Sequence, residues 1–294
     1  MANKIKLLKN FYLLTVLILL GCSDNVSMQE FNSAEIIKTI VLPKTINETS
    51  GLEFYDDNFI THNDSGDGPS LYVFNEDGNL IKTMDLNKDS SFEIENNDWE
   101  DLASDNNYLF VADTGNNFGN RSNLNIIRVS KEDHYKVDGK IEIFYSDQET
   151  FFPRPKHKYD AEALVVINDH LLLFSKDREK LNTDLYLVDK FQIGPQKLTS
   201  EFAYNVNSLI TGGDYNNDLN FLALVSYNSK GNQYLILFEE FDIENLKNNR
   251  FKKYKIPLER AQIESIKIID KNTFWVTSED EGMGSPFMYK VKVK

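Results

Sequence analysis

The sequence predicts an all-β fold, a five-bladed β-propeller with four-stranded blades. Three observations support it. Beyond the leader the chain shows almost no helical periodicity and alternates short β-rich runs with Asn/Asp/Gly turns. One offset, an acid or hydroxyl followed two residues later by an apolar side chain, returns along the chain at Ser50-Gly51-Leu52, Glu100-Asp101-Leu102, Glu162-Ala163-Leu164 and Glu264-Ser265-Ile266, with a weaker copy at Gly213-Asp214-Tyr215. The copies are spaced by 50, 62, 51 and 51 residues, and a period near 50 with four strands per unit is what a propeller requires. A sandwich of many short strands does not explain the fivefold return.

The elements follow in order. Residues 35–42 form a strand with no unit of its own. Each unit opens with its offset segment as inner strand. A second strand begins about seven residues after the apolar position, at Phe59, Leu109, Leu171, Phe221 and Phe274. Third strands cover 71–74, 124–129, 185–188, 234–238 and 287–291. Fourth strands cover 80–86, 140–145, 196–203 and 251–256. The last unit has no fourth strand before Lys294. Residues 35–42 are therefore expected to complete it and close the ring, which removes exposed strand edges.

The first 34 residues read differently. Lys4, Lys6 and Lys9 precede an apolar run from Phe11 to Leu20, too short to span a bilayer and of signal-peptide length. It ends in Leu19-Leu20-Gly21-Cys22, which resembles the lipobox of bacterial lipoproteins. Cys22 is the sole cysteine, so an intramolecular disulfide is excluded and lipidation is the economical use of it. The expected organisation is a signal peptide over 1–21, a lipidated tether over 22–34 and one propeller over 35–294. The chain is expected in the cell envelope, held by palmitate-type acyl chains in the outer membrane of a Gram-negative bacterium.

The formal charge is −14, and removing residues 1–21 takes away three lysines and no acid, leaving −17. That excludes nucleic acid as a partner, which needs a basic surface, and suits a monomeric domain that collects cations. No Gly-x-Ser-x-Gly elbow, Walker loop or zinc-protease motif is present.

In a propeller the start of each inner strand and the end of each second strand meet at one mouth of the axial channel. The five offset positions, Ser50, Glu100, Glu162, Gly213 and Glu264, then face the axis together. Three carboxylates in one narrow channel repel one another. An axial Ca²⁺ bound by these hard oxygens relieves that, with a backbone carbonyl or water from blade four. A hydrated channel, or glutamates paired with Lys176 or Arg121, is the alternative.

The ordered set of serine, three glutamates and one small residue resembles that of calcium-activated nucleotidases, the soluble apyrases. The phrases are Glu48-Thr49-Ser50-Gly51-Leu52, Asp98-Trp99-Glu100-Asp101-Leu102, Asp160-Ala161-Glu162-Ala163-Leu164 and Gln262-Ile263-Glu264-Ser265-Ile266. They are also similar to those of phytase-like and esterase-like propeller lipoproteins. The resemblance spans the ring and departs at blade four, where Gly213 stands in place of a serine. It implies five blades with one Ca²⁺ on the axis.

Such an ion can bind phosphate oxygens and orient water, with a nearby carboxylate as base. Candidate bases are Asp64, Asp113 and Asp160. Arg121 and Lys176 are candidates to hold a leaving phosphate, and His62 to donate a proton. The plainer reading of Asp113-Thr114-Gly115-Asn116-Asn117 and His62-Asn63-Asp64-Ser65-Gly66 is turn formation. Three functions stay open: a Ca²⁺-dependent hydrolase of phosphate esters or anhydrides, a non-catalytic binder of a glycan, peptide or envelope protein, and a purely structural ion.

Overall fold

The computed structural model describes residues 32–294 apart from Asp89, Glu259, Arg260, Glu281 and Met283. Cys22 and the leader lie outside the described residues. No helix among the described residues is long and apolar enough to cross a membrane.

Five sheets, antiparallel apart from one parallel edge strand each in blades two and four, follow one another along the chain as blades. Their inner strands are Thr49–Tyr55, Asp101–Ser104, Ala161–Ile167, Leu209–Asn216 and Ile263–Asp270. Inner strands of successive blades lie side by side, and the fifth lies against the first, so the sheets form a ring. The burial patterns explain why these runs became strands. Ala161–Ile167 is buried at every position because the sheet is covered on both faces by its neighbours. The outer strand Lys136–Tyr145 alternates buried and less buried residues with period two, as one covered face demands.

The core is consequently divided into wedges between blades. Trp99, Ile60, Leu71 and Val111 fill the wedge between blades one and two, and Phe110, Ile126, Leu164 and Tyr186 the next. Phe174, Leu185, Leu224 and Phe238 join blades three and four, Val225, Tyr254, Phe274 and Tyr289 blades four and five, and Leu52, Phe59, Trp275 and Met288 blades five and one. Each such fully buried side chain contributes about 1.5–3 kcal/mol.

Ring closure is as the sequence predicts. Glu35–Val41 pairs antiparallel with Phe287–Lys292, from Glu35 opposite Lys292 to Val41 opposite Phe287, and is the fourth strand of blade five. Two details differ from the sequence reading. The expected tether ends in structure: Asn32 and Ser33 pair in parallel with Tyr254 and Lys255 at the outer edge of blade four, and Ala34 is buried there. The expected single strand over 196–203 is two strands. Gly194–Leu198 runs parallel to Lys136–Tyr145 as a fifth strand of blade two, and Ser200–Tyr204 closes blade three against Thr183–Asp189. Both departures come from pairing with strands distant in sequence, which a local pattern does not encode.

Candidate functional site: an acidic channel mouth

The inner strands begin with a fault. In blades three, four and five the ladder skips one residue at the mouth, Glu162, Thr211 and Glu264, each between two residues paired with the second strand. In blade one the register shifts between Ser50 and Glu53, and in blade two Glu100 directly precedes the inner strand and bonds through its N–H to Ala112 O at 2.9 Å. Such bulges re-aim side chains. In blades one and four the next position is glycine because neighbouring strands touch there. A Cβ on Gly51 would meet Leu102 N, and one on Gly212 would meet Glu264 O.

The register therefore gives a mouth ring of Ser50, Glu100, Glu162, Thr211 and Glu264. Gly213 lies two residues deeper. It pairs with Leu224, its N–H bonds Asp101 Oδ2 at 3.0 Å, and a side chain there would press on Leu224, Val165 and Ala163. The sequence offset misplaced blade four because Thr211-Gly212-Gly213 contains neither an acid nor an apolar residue to mark it. Ser50 and Thr211 share a role. Each hydroxyl donates to a main-chain carbonyl of the following blade, Glu100 O at 2.5 Å and Ile263 O at 2.6 Å.

Lys176, at the end of the second strand of blade three, sits among the ring glutamates. Its Nζ lies 2.6 Å from Glu162 Oε2 and 5.2 Å from the Tyr227 ring centre. Burial would lower its pKa, but the charges of Glu162 and Glu264 outweigh it and hold the ammonium well above its ordinary value. Arg178 pairs with Asp160 Oδ2, lies 3.7 Å from Glu162 Oε1 and donates to Asn117 Oδ1. Glu264 accepts a short hydrogen bond from the Gln262 amide.

Two groups of carboxylates have one oxygen per residue mutually within 4.8 Å: Asp64, Asp98 and Glu100, and Glu100, Asp160 and Glu162. The second is faced by Lys176 and Arg178. The first forms no ion pair among the described residues. Asp64 is carried by the loop after the second strand of blade one, which is pinned by Asp64 N to Glu48 O and Trp99 N to Asp64 O. Asp98 comes from the approach to blade two, and Gly115 closes over Asp98 and Glu100. A Cβ on Gly115 would overlap Glu100 Oε1 and the Asp98 carboxyl. Burial, then the charges of Asp98, Glu162 and Glu279, push Asp64 up to about 9. Burial and the neighbouring carboxylates likewise hold Glu100 well above the usual range, and burial raises Asp98 and Glu162.

The remaining candidates are committed elsewhere. Asp113 accepts Arg121 Nη2 at 2.8 Å, Asn97 and Asn125 at 3.0 Å each, and the Asp98 N–H at 3.2 Å, so it organises loops and does not face the triad. Arg121 is held by that pair and by Gly115 O. Asp160 accepts Asn116 N through Oδ1 at 2.7 Å. His62 is fully buried, edge-on to Trp99, and burial lowers it to about 4, which keeps it neutral. Asp98, Gly115, Asn117 and Arg178 are the residues the sequence reading did not single out. The repeated Asp-x-Glu of Asp98-Trp99-Glu100 and Asp160-Ala161-Glu162 was the available signal for the first.

Residues 151–158, which lie in the longest interval between offset segments, are tied beside this mouth by Arg154 N to Phe118 O and by His157, whose Nε2 bonds Asn117 O at 3.2 Å. Phe151 and Phe152 are exposed.

No protein-family model matches the chain, and no curated protein matches it. Among solved structures, a chain from the crystal structure of the mitotic checkpoint complex is similar at a TM-score of 0.46 and 11% identity, over 90% of this chain and 97% of that one. The fold assignment rests on the sheet topology and not on that likeness.

Proposed function

We propose that the mouth binds a divalent cation, Ca²⁺ first, through Asp64, Asp98 and Glu100. The supporting observation is a triad with no direct ion pair among the described residues, Lys176, Arg121 and Arg178 acting on it only through space. Its oxygens lie within 4.8 Å of one another, the span of ligands around one ion at 2.3–2.6 Å. Asp64 Oδ1 is also buried with no hydrogen-bond partner among the described residues. An all-carboxylate set fits a hard cation and not zinc. This differs from an axial ion held by the ring alone, since Lys176 supplies positive charge between Glu162 and Glu264.

Bound Ca²⁺ would supply positive charge for phosphate oxygens and acidify a water molecule. On that reading the chain is a Ca²⁺-dependent phosphohydrolase of the cell envelope, lipid-anchored through Cys22. Asp64 would exchange the proton, and Arg178, at the edge of the cluster, would meet the phosphate after leaving Asp160. A second reading, a binding propeller without turnover, is favoured by one observation: Lys176 and Arg178 are both engaged by carboxylates.

The deciding experiment is calorimetric titration of the EDTA-stripped chain with Ca²⁺, followed by a phosphoester and phosphoanhydride panel. Asp98→Asn should abolish binding. Phosphate release that needs Ca²⁺ and is lost in Asp98→Asn supports hydrolysis, whereas intact Ca²⁺ binding without turnover supports the binder. No Ca²⁺ binding at millimolar concentration rejects both. Radiolabelled palmitate incorporation, lost in Cys22→Ser, tests the anchor.

A further inference from the structure

Residues 151–158 read Phe-Phe-Pro-Arg-Pro-Lys-His-Lys. We propose that this loop, with Phe118 beside it, docks on the surface of a lipid bilayer.

The loop is held in place by its own contacts. Arg154 N donates to Phe118 O at 2.8 Å, Arg178 N to His157 O at 3.1 Å and Gln148 Nε2 to Gly119 O at 2.9 Å. Gly119, at φ +65°, lies against the buried His157 ring, which a Cβ there would meet at 3.1 Å. Pro153 and Pro155 fix φ on either side of Arg154. On this frame three rings meet water: Phe118 is 58%, Phe151 44% and Phe152 81% exposed. Phe110 and Phe174, in the wedges between blades, are fully buried.

The charge beside these rings is positive in an otherwise acidic chain. The segment has Arg154, Lys156 and Lys158 and no acid, against a formal charge of −14 for the whole. Lys158 is paired with Asp147 at 2.8 Å and Asp184 at 3.6 Å. Arg154 and Lys156 are exposed and form no ion pair among the described residues. Glu149, just before the rings, is exposed and offsets one of the two, so the excess stays positive. Exposed rings flanked by cations suit a bilayer interface. The rings bury at the boundary of headgroups and acyl chains, and the ammonium and guanidinium groups meet lipid phosphates.

Asn32 follows Cys22 by ten residues, at most about 35 Å of extended chain. An anchor at Cys22 therefore keeps a bilayer within reach. The inference takes that proximity from the anchor reading and nothing from the Ca²⁺ reading. Asn117, which holds Arg178, is bonded to the same segment through His157 Nε2, so docking brings the acidic mouth beside the headgroup layer.

The reporter is Phe152→Trp in the full chain carrying Cys22→Ser. Trp99 and Trp275 are buried, out of reach of a quencher in the acyl region. Vesicles of phosphatidylethanolamine and phosphatidylglycerol with brominated acyl chains should quench the new indole. Phe191→Trp, at a site 55% exposed at the opposite end of blade three, should stay unquenched. The apolar leader can itself bind vesicles, so a local reporter is read and not co-sedimentation. Adding Arg154→Gln/Lys156→Gln should raise the lipid concentration for half-quenching about tenfold. Adding Phe118→Ser/Phe151→Ser should raise it by about the same factor. All these positions are exposed, and their substitution leaves folding nearly untouched, which melting curves verify. Absence of quenching overturns the proposal. So does equal quenching at positions 152 and 191, which reports the leader alone, and so does a response that neither double variant weakens. Dimerisation without lipid that shields the new indole from aqueous iodide would put a second copy on the loop, and overturns it too. Palmitate labelling at Cys22 decides the anchor separately, so the two failures are read apart.

Discussion

The same five inner strands carry charge at two levels, and the two are built differently. The mouth ring holds Glu100, Glu162 and Glu264. Three residues deeper the equivalent positions are Glu53, Ala103, Val165, Asp214 and Lys267. There Lys267 bridges Glu53 at 2.8 Å and Asp214 at 2.9 Å, and Asp214 also accepts Ile268 N at 2.7 Å. Between the levels Asp101 reaches across the ring and accepts three main-chain N–H groups, from Leu102, Leu164 and Gly213. Every acid of the deep level has a fixed partner. At the mouth Lys176 and Arg178 pair with Glu162 and Asp160, while Asp64, Asp98 and Glu100 make no direct ion pair among the described residues. Buried carboxylates with partners are architecture, and those without partners are where a cation has most to gain.

The largest effect should come from breaking the deep level. Lys267→Met leaves Glu53 and Asp214 buried without their cation, and urea unfolding should show a loss of about 3–5 kcal/mol. A loss below 1 kcal/mol would mean that the two levels are not different after all.

Next is the response to pH. Asp64 titrates near 9 in the folded chain, above its ordinary 3.8, so its contribution is complete at low pH and declines as pH rises from about 4 to 9. Glu100, Glu162 and Glu264 shift in the same direction. His62 has the opposite sign. Its folded value near 4 lies below 6.5, so its contribution is present above pH 6.5 and is lost as pH falls towards 4. Between pH 6.5 and 8 the carboxylates act alone, since Lys253, lowered to about 8 by burial, opposes them only above that. In EDTA, stability should fall by about 1 kcal/mol per pH unit across this window, and Ca²⁺ should flatten the slope. A flat profile in EDTA would show that the mouth is already neutralised.

Glu100→Gln should act in two directions at once. Removing one repelling charge should raise the melting temperature in EDTA by a few degrees, and the upward shift on adding Ca²⁺ should disappear. Persistence of the full Ca²⁺ shift would place the ion elsewhere.

The smallest effect concerns the register of blade four. Thr211→Val removes the donor to Ile263 O and should cost about 0.5–1.5 kcal/mol while leaving the Ca²⁺ titration unchanged. Altered Ca²⁺ affinity would make Thr211 a ligand and not a stitch between blades.

Much of this architecture was legible in advance. The fivefold offset and its period specified the blades, and the spare N-terminal strand specified how the ring closes, because period-two burial and turn chemistry are local. The acids at the mouth were legible as acids. Their partners were not. Asp98 was visible in the repeated Asp-x-Glu, but nothing local tells that it meets Asp64 from the preceding blade, or that Gly115 leaves space for the Asp98 and Glu100 carboxyls. Lys176 and Arg121 read equally well as phosphate clamps and as counterions, and only the positions of Glu162 and Asp113 separate the two.

The sequence by itself determined the elements, their order and the sign of charge at one end of the ring, since each follows from neighbours within a few residues. Tertiary structure alone decided which carboxylates are neutralised, where the ladder skips a residue in blade four, and which blade receives residues 194–198. Those depend on how segments meet in the folded ring, from the 14 residues between Glu162 and Lys176 to the 53 between Ile141 and Gly194, and a one-residue slip or a single lysine side chain changes them without altering any local pattern.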